Sequence, residues 1–448
     1  MSTRLSGVTK TTLKKASRDA VEESFSLLKR HLKKSRWIGV GNRYSPNTID
    51  RLNSDSRPGR NINHQHLSQY IAASAPLHCA DGWALLGRAL DCHFRRDQDS
   101  ARHFAYYAEL RAAFALLATE GIAIFNRDHF VVDHRKQCFK FGGSTHQVVW
   151  QVLEHWGGLK RCANLLGLSI QVNGVTLREW LDHFAASGSF RAIGSRWLRT
   201  WGLDLRVFAD DQEVRNEASY RPTKLLPRSF LDVKDSADFV CALWALCEPS
   251  AQSQFEGLDR YLLRLALEET FRGVRGTTAT MAGAQFRSDI KAMVSQVVSD
   301  AATHSTWVDF LARATDADDP IIVAEAGQTD SVDSPRQHLQ MISRAALLLR
   351  VATGANSRLL KESGVSADDL KFWWSALGEE RGLWDKTSEP VELRDLWADA
   401  ELALKGLKEW TATTTAPNRT LGRWRQENSY DIAVLGGCER IALWGLGL

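Results

Sequence analysis

The sequence lacks features that are typical of zinc-binding, secreted and membrane-spanning proteins. None of its 7 cysteines forms a Cys-x-x-Cys pair, and the closest two are Cys241 and Cys247. An odd number of cysteines without regular spacing indicates free thiols in a reducing compartment and no zinc site. The N-terminus has no apolar signal-peptide core, and the longest apolar stretch, Phe114 to Phe125, is interrupted and too short to cross a bilayer. We therefore expect a cytoplasmic protein that holds no metal ion.

Motifs for nucleotide and hydrolase chemistry are also missing. The chain contains no G-x-x-x-x-G-K-[ST], G-x-G-x-x-G, H-E-x-x-H or G-x-S-x-G segment. These absences argue against a P-loop NTPase, a Rossmann dehydrogenase, a zinc protease and an α/β-hydrolase. No cofactor is expected, and any associated activity is expected to come from a partner.

The composition and its periodicity predict a mainly α-helical protein. Hydrophobic residues make up 44% of the 448 residues and charged residues 25%, which excludes wholesale disorder. Residues 129–141 alternate around a polar centre and predict a small β-hairpin. Helical spacing predicts helices at 66–74 and 81–94, separated at Pro76, and a stronger one at 100–118. A short strand is expected at 321–323.

We expect multi-domain helical bundles, because the length suggests about three domains. The predicted units are a basic N-terminal arm and loop at 1–60, a helical domain with the hairpin at 61–215, and a C-terminal helical domain at 230–448. The boundary between the last two is placed in the polar, proline-containing stretch at 209–236.

Positive charge is concentrated at the N-terminus. Residues 1–60 carry a net charge of +9, whereas the rest of the chain sums to −5. Within this segment, Val21, Phe25, Leu28 and Leu32 form one helical stripe that could dock it to the body. Its cations would then face outward along a phosphate backbone. The predicted nucleic-acid contacts of the arm are Lys14, Lys15, Lys29, Arg30, Lys33, Lys34 and Arg36.

A second candidate interface interleaves arginines with tryptophans at 191–206. Arg196 and Arg199 flank Trp197 and Trp201, and Arg191 and Arg206 extend the pattern. Guanidinium and indole groups together can bind a single strand by charge and stacking. The same spacing also fits a core-facing helix with an arginine rim. The sequence leaves both interpretations open.

A third pattern is an arginine followed by a polar residue, then four to six further positions, and then a histidine. It occurs at Arg60 with His66, Arg96 with His103, and Arg127 with His134. The pattern resembles the signature of the HEPN superfamily, helical bundles that often act as metal-independent ribonucleases in bacterial defence. That resemblance implies a catalytic pair of His103 and Arg96, because this match lies at the start of a strong helix. The alternative is that His103 is a polar-face histidine paired with Tyr107 or solvent.

The run His103 to Ala113 is also similar to segments of uncharacterised bacterial proteins linked to antiviral defence. Together these features favour a nucleic-acid-binding or scaffold subunit of a bacterial multiprotein system, with antiviral defence as its setting. One alternative is an HEPN-like ribonuclease, although we expect no catalytic activity in the isolated chain. The other is a purely structural protein-interaction subunit. Other protein subunits are expected partners, DNA and RNA both remain open, and no membrane partner is expected.

Overall fold

The computed structural model describes residues 5–184, 194–221, 229–276, 281 and 283–448. The protein is mainly α-helical, as predicted. In the N-terminal half its helices are Gly7–Leu13 (α1), Arg18–Ser26 (α2), Lys29–Leu32 (α3), Thr48–Asp55 (α4), His64–Phe94 (α5), Gln98–Thr119 (α6), Thr145–Gly157 (α7), Lys160–Ser169 (α8), Leu177–Asp182 (α9), Gly194–Thr200 (α10) and Val207–Tyr220 (α11).

Helices also dominate the C-terminal half. They are Val233–Leu246 (α12), Glu256–Arg275 (α13), Ala284–Val297 (α14), His304–Leu311 (α15), Ile321–Ala326 (α16), Gln337–Glu362 (α17), Lys371–Glu380 (α18), Trp397–Thr413 (α19), Leu421–Glu427 (α20), Ser429–Gly436 (α21) and Glu439–Gly445 (α22).

The predicted hairpin is confirmed and gains a third strand. Ile122–Ala123 (β1), Asp128–Val132 (β2) and Cys138–Gly142 (β3) form an antiparallel sheet in the order β1-β2-β3, with Phe130 opposite Lys140. Gln171–Val172 (β4) and Val175–Thr176 (β5) form a second, two-stranded sheet. The sheets are small because helices supply almost all of the packing surface.

Two predictions about secondary structure were wrong. The helices expected at 66–74 and 81–94 form one continuous helix, α5, with Pro76 inside it. Proline weakens an isolated helix, but buried neighbours on both sides of Pro76 hold this one in place. The strand expected at 321–323 is instead the first turn of α16, which follows Pro320 and packs on α17. Three apolar residues in a row do not distinguish a strand from a buried helix.

A bundle of α5, α6 and α17 occupies the centre of the molecule. α17 packs along both α5 and α6, and nearly all of its side chains are buried. The hydrophobic core is therefore continuous from the predicted 61–215 domain into the predicted 230–448 domain. Part of the polar stretch proposed as their boundary is helical, since α11 runs to Tyr220 and packs on α6.

The apolar C-terminal segment belongs to the core. Ile432, Leu435, Ile441 and Trp444 are each less than 10% exposed, and α21 and α22 pack against α5. A segment with this many apolar side chains is stabilised by removal from water. Among the described residues, no helix is both long and apolar enough to cross a membrane.

Candidate nucleic-acid interface

The N-terminal arm is docked as its apolar stripe predicts. The Ser17 side chain caps α2, and Val21, Phe25, Leu28 and Leu32 are at most 2% exposed. α2 packs against α5 and α17. A helix with one buried apolar stripe must turn its charged side chains to solvent. The packing of the arm against the body therefore determines which of its cations remain exposed to solvent.

Polar contacts fix the arm to the C-terminal end of α17. Arg18 donates hydrogen bonds to the Ala355 carbonyl (3.3 Å) and the Glu362 carboxylate (2.9 Å). Lys29 donates to the Gly364 carbonyl and lies 4.0 Å from Asp369. Lys29 is thus an anchoring residue, in addition to its predicted role in binding.

Six of the seven predicted arm cations are exposed: Lys14, Lys15, Arg30, Lys33, Lys34 and Arg36. Within the part of the chain that the structure describes, no carboxylate lies within ion-pair distance of any of them. Lys15 lies over the Phe139 ring, 3.7 Å from its centroid. The other predicted cation, Lys29, is the one that pairs with the body. The arm therefore presents positive charge that no internal partner neutralises.

A cleft of about 450 Å³ opens beside the arm, between the α1–α2 connection, α8 and α17. Its lining contains four cations and a histidine, namely Lys15, Arg18, Arg161, Arg358 and His134. Burial lowers the pKa of nearby His155, and the charges of Lys10, Arg161 and Lys14 lower it further. Asp19 and Glu120 also line the cleft, and Arg18, Arg161 and Arg358 each lie within ion-pair distance of a carboxylate.

Two lining groups of the cleft are committed to structure. Arg161 donates to the carbonyls of Leu13 and Ala16 at 3.0 Å each, which satisfies the C-terminal end of α1. Glu120 lies beneath, where it accepts a hydrogen bond from the Trp156 indole at 3.0 Å. Burial raises the pKa of Glu120. Arg18 and Arg358 both pair with Glu362, so Lys15 is the exposed cation of the cleft that has no carboxylate partner among the described residues.

His103 lies on α6 within a cluster of aromatic and polar side chains. Its Nδ1 is 3.2 Å from the Ser219 hydroxyl, and its ring centroid is 4.9 Å from that of Tyr107. The Arg215 guanidinium, from α11, lies 5.5 Å from the Tyr107 ring and 4.9 Å from the Tyr106 ring. The predicted partner Arg96 lies instead over the Phe230 ring at 5.4 Å. Among the described residues, no hydrogen bond or ring contact joins Arg96 to His103.

A second histidine belongs to the same cluster. His146, on α7, lies with its Nδ1 2.8 Å from the Tyr106 hydroxyl. Burial lowers the pKa of both His103 and His146, and the charge of Arg215 lowers each further. Both imidazoles are therefore neutral near pH 7 and able to accept a proton. No local sequence pattern pointed to Arg215 or His146, because only the fold brings α7 and α11 to α6.

The tryptophans of the second candidate interface are buried. Trp197 and Trp201 are 3% and 0% exposed, and the Trp201 indole donates to the Leu262 carbonyl at 2.9 Å. Neither ring can stack on a base. Arg196 and Arg199 are exposed, with Arg199 3.6 Å from Asp204, while Arg191 lies outside the described residues. The structure thus shows a core-facing helix with an arginine rim.

No protein-family model matches the chain, and neither a curated protein nor a solved structure resembles it. The likeness to the HEPN superfamily stays a prediction. Among the described residues, no group of three or more histidine, cysteine or acidic side chains is placed to hold a metal ion.

Proposed function

We propose that this chain is a nucleic-acid-binding subunit whose N-terminal arm contacts phosphates. The observation that carries the proposal is the contrast along the arm between a buried apolar stripe and exposed, unpaired cations. Lysine and arginine on a docked helix can follow a phosphate backbone while the body supplies rigidity. A role in bacterial antiviral defence remains part of this proposal and rests on the run His103 to Ala113 alone.

A salt series on the purified chain tests the arm. Each phosphate contact that displaces a counterion adds about 0.9 to the slope of log K against log salt on duplex DNA. Arg30, Lys33, Lys34 and Arg36 are exposed and make no ion pair among the described residues. Changing all four to alanine should weaken binding for every sequence alike and flatten the slope by roughly 2–4 units.

The matched control changes Lys234, Lys386, Lys405 and Lys408 to alanine. These lysines are also exposed, and their loss alters the net charge by the same amount. The control should retain the wild-type slope. If the arm variant also keeps that slope, the arm does not contact nucleic acid. A scaffold that binds an acidic protein partner would then be the better account.

A second candidate function is metal-independent RNA cleavage at His103. The observation that favours it is the convergence of two neutral histidines and Arg215 at one surface. One imidazole would take the proton of a ribose 2′-hydroxyl, whose oxygen attacks the adjacent phosphorus as the bond to the 5′-oxygen breaks. The imidazolium formed in this way would pass its proton to that leaving oxygen and leave a 2′,3′-cyclic phosphate, while Arg215 would stabilise the charged phosphorane.

Nuclease assays with three variants test whether His103 acts with Arg96, as the sequence pattern predicts, or with Arg215, which belongs to its cluster in the structure. If the cluster is catalytic, His103→Ala and Arg215→Ala should each abolish EDTA-resistant cleavage, whereas Arg96→Ala should retain it. His103→Ala should stay within about 1 kcal/mol of the wild-type stability, since His103 is half-buried. Full cleavage by His103→Ala, or none by the wild type, would exclude this function. We expect no cleavage by the isolated wild type.

A further inference from the structure

A partly exposed stripe of rings and cations runs along α6. His103, Tyr107, Arg111 and Phe114 follow one another at helical spacing, and all four are partly exposed, whereas most other residues of α6 are buried. We propose that this surface, here called the α6 stripe, binds a single-stranded nucleic acid by stacking its bases. The inference rests on the proposed function and specifies the class of ligand.

The rings of the stripe are arranged in two groups. At one end, the His103 and Tyr107 rings lie 4.9 Å apart and tilted at 49°. At the other end, Phe114 meets His78 of α5 edge to face, with centroids 5.5 Å apart. Each of these rings is partly exposed. Bases of any sequence can stack on such rings.

Cations lie between and beside the two groups. Arg111 has 37% of its side chain exposed, with one guanidinium nitrogen 2.7 Å from His78 Nδ1 and 3.6 Å from Asp81. Asp81 is itself 57% exposed, so solvent screens this ion pair. Arg215 covers Tyr106 and Tyr107 at the other end. Guanidinium groups interleaved with aromatic rings suit a strand whose phosphates and bases alternate.

The length of the stripe and its exposed rings suit a single strand rather than a duplex. At 1.5 Å per helical residue, His103 and Phe114 are about 16 Å apart along α6, a distance that a few nucleotides can span. In a duplex the base faces are stacked on one another and cannot reach protein rings. Trp197 and Trp201, predicted as the stacking pair, are buried, so the partly exposed rings of α6 offer the better platform.

Two conservative variants test the stripe. Tyr107→Leu and Phe114→Leu remove a ring but keep apolar bulk, and Tyr430→Leu is the control, because Tyr430 is 65% exposed on α21. Binding is measured by fluorescence anisotropy on an oligo(U) strand, an abasic strand of equal length and a duplex. Each stripe variant should weaken binding to oligo(U) by about 5- to 20-fold. Both variants should bind the abasic strand and the duplex as the wild type does.

The outcomes separate this inference from the proposed function. Equal losses on oligo(U) and on the abasic strand, or no loss at all, would overturn the stripe as a stacking surface. Wild-type binding that depends on the arm cations but is the same for base-bearing and abasic strands would overturn only the stripe. A wild type that binds none of the three probes would overturn both proposals.

Discussion

Arginines on α17 and cations on the N-terminal arm carry the same charge in opposite surroundings. Arg344 is 1% exposed and donates to both carboxylate oxygens of Asp211 at 2.7 Å. Arg350 is 3% exposed and donates to Asp259 and to the Ser169 carbonyl. On the arm, Arg30 and Lys33 are exposed and have no carboxylate partner among the described residues.

The difference shows that this fold pairs the positive charge that it buries and leaves the positive charge of the arm exposed. A guanidinium removed from water is tolerated only when carboxylates and carbonyls replace its hydration. Arg344 and Arg350 therefore join α17 to neighbouring elements. Exposed cations need no partner to be stable, so those of the arm remain available to an external anion.

The largest effect is expected from breaking the buried pair. Arg344→Met would leave Asp211 as a buried charge without its partner and should lower the free energy of unfolding by about 3–5 kcal/mol. Urea denaturation followed by circular dichroism measures the loss. If the variant does not fold, Asp211→Asn provides a milder test, because Glu109 still lies 3.9 Å from Arg344.

The arm variant with Arg30, Lys33, Lys34 and Arg36 changed to alanine completes this comparison. Its unfolding free energy should lie within about 0.5 kcal/mol of the wild type, as for other exposed substitutions. A loss as large as that of Arg344→Met would mean that the arm cations also support the fold, and the contrast would fail.

An effect between these two is expected where the arm meets α17. Burial raises the pKa of Glu22 to about 7, helped by a hydrogen bond to Glu362 and opposed by the charge of Arg18. Because this pKa is higher in the folded than in the unfolded chain, the stability it contributes is present below about pH 4.5. It is lost as pH rises through about 7.

Glu22→Gln keeps a hydrogen-bond donor at every pH. Relative to the wild type, this variant should gain about 1 kcal/mol of unfolding free energy between about pH 5 and pH 8, a modest value because solvent screens the pair. Glu23→Gln is the control on the same helix, since Glu23 is exposed. An identical pH profile for Glu22→Gln and the wild type would show that Glu22 does not titrate as described.

Features encoded in neighbouring residues were predictable from the sequence. The helix expected at 100–118 is α6, and the arm stripe is buried as its spacing indicated. The continuity of α5 through Pro76 was missed, because burial by other helices outweighs the local preference of proline to end a helix. Arg215 was missed as a cation of the cluster around His103 because no local pattern indicates which distant helix packs against α6. Periodicity identifies a buried face, but it does not identify the neighbour that covers it.

Helix α6 also sets the distance between the cleft and the His103 cluster. Glu120, beneath the cleft, caps its C-terminal end, and His103 lies in its second turn. At 1.5 Å per residue the two positions are about 25 Å apart. The bundle holds α6 on both sides, so this spacing does not adjust to a ligand. If the proposed nucleic-acid ligand is to reach both the cleft and the His103 end, it must span at least about 25 Å.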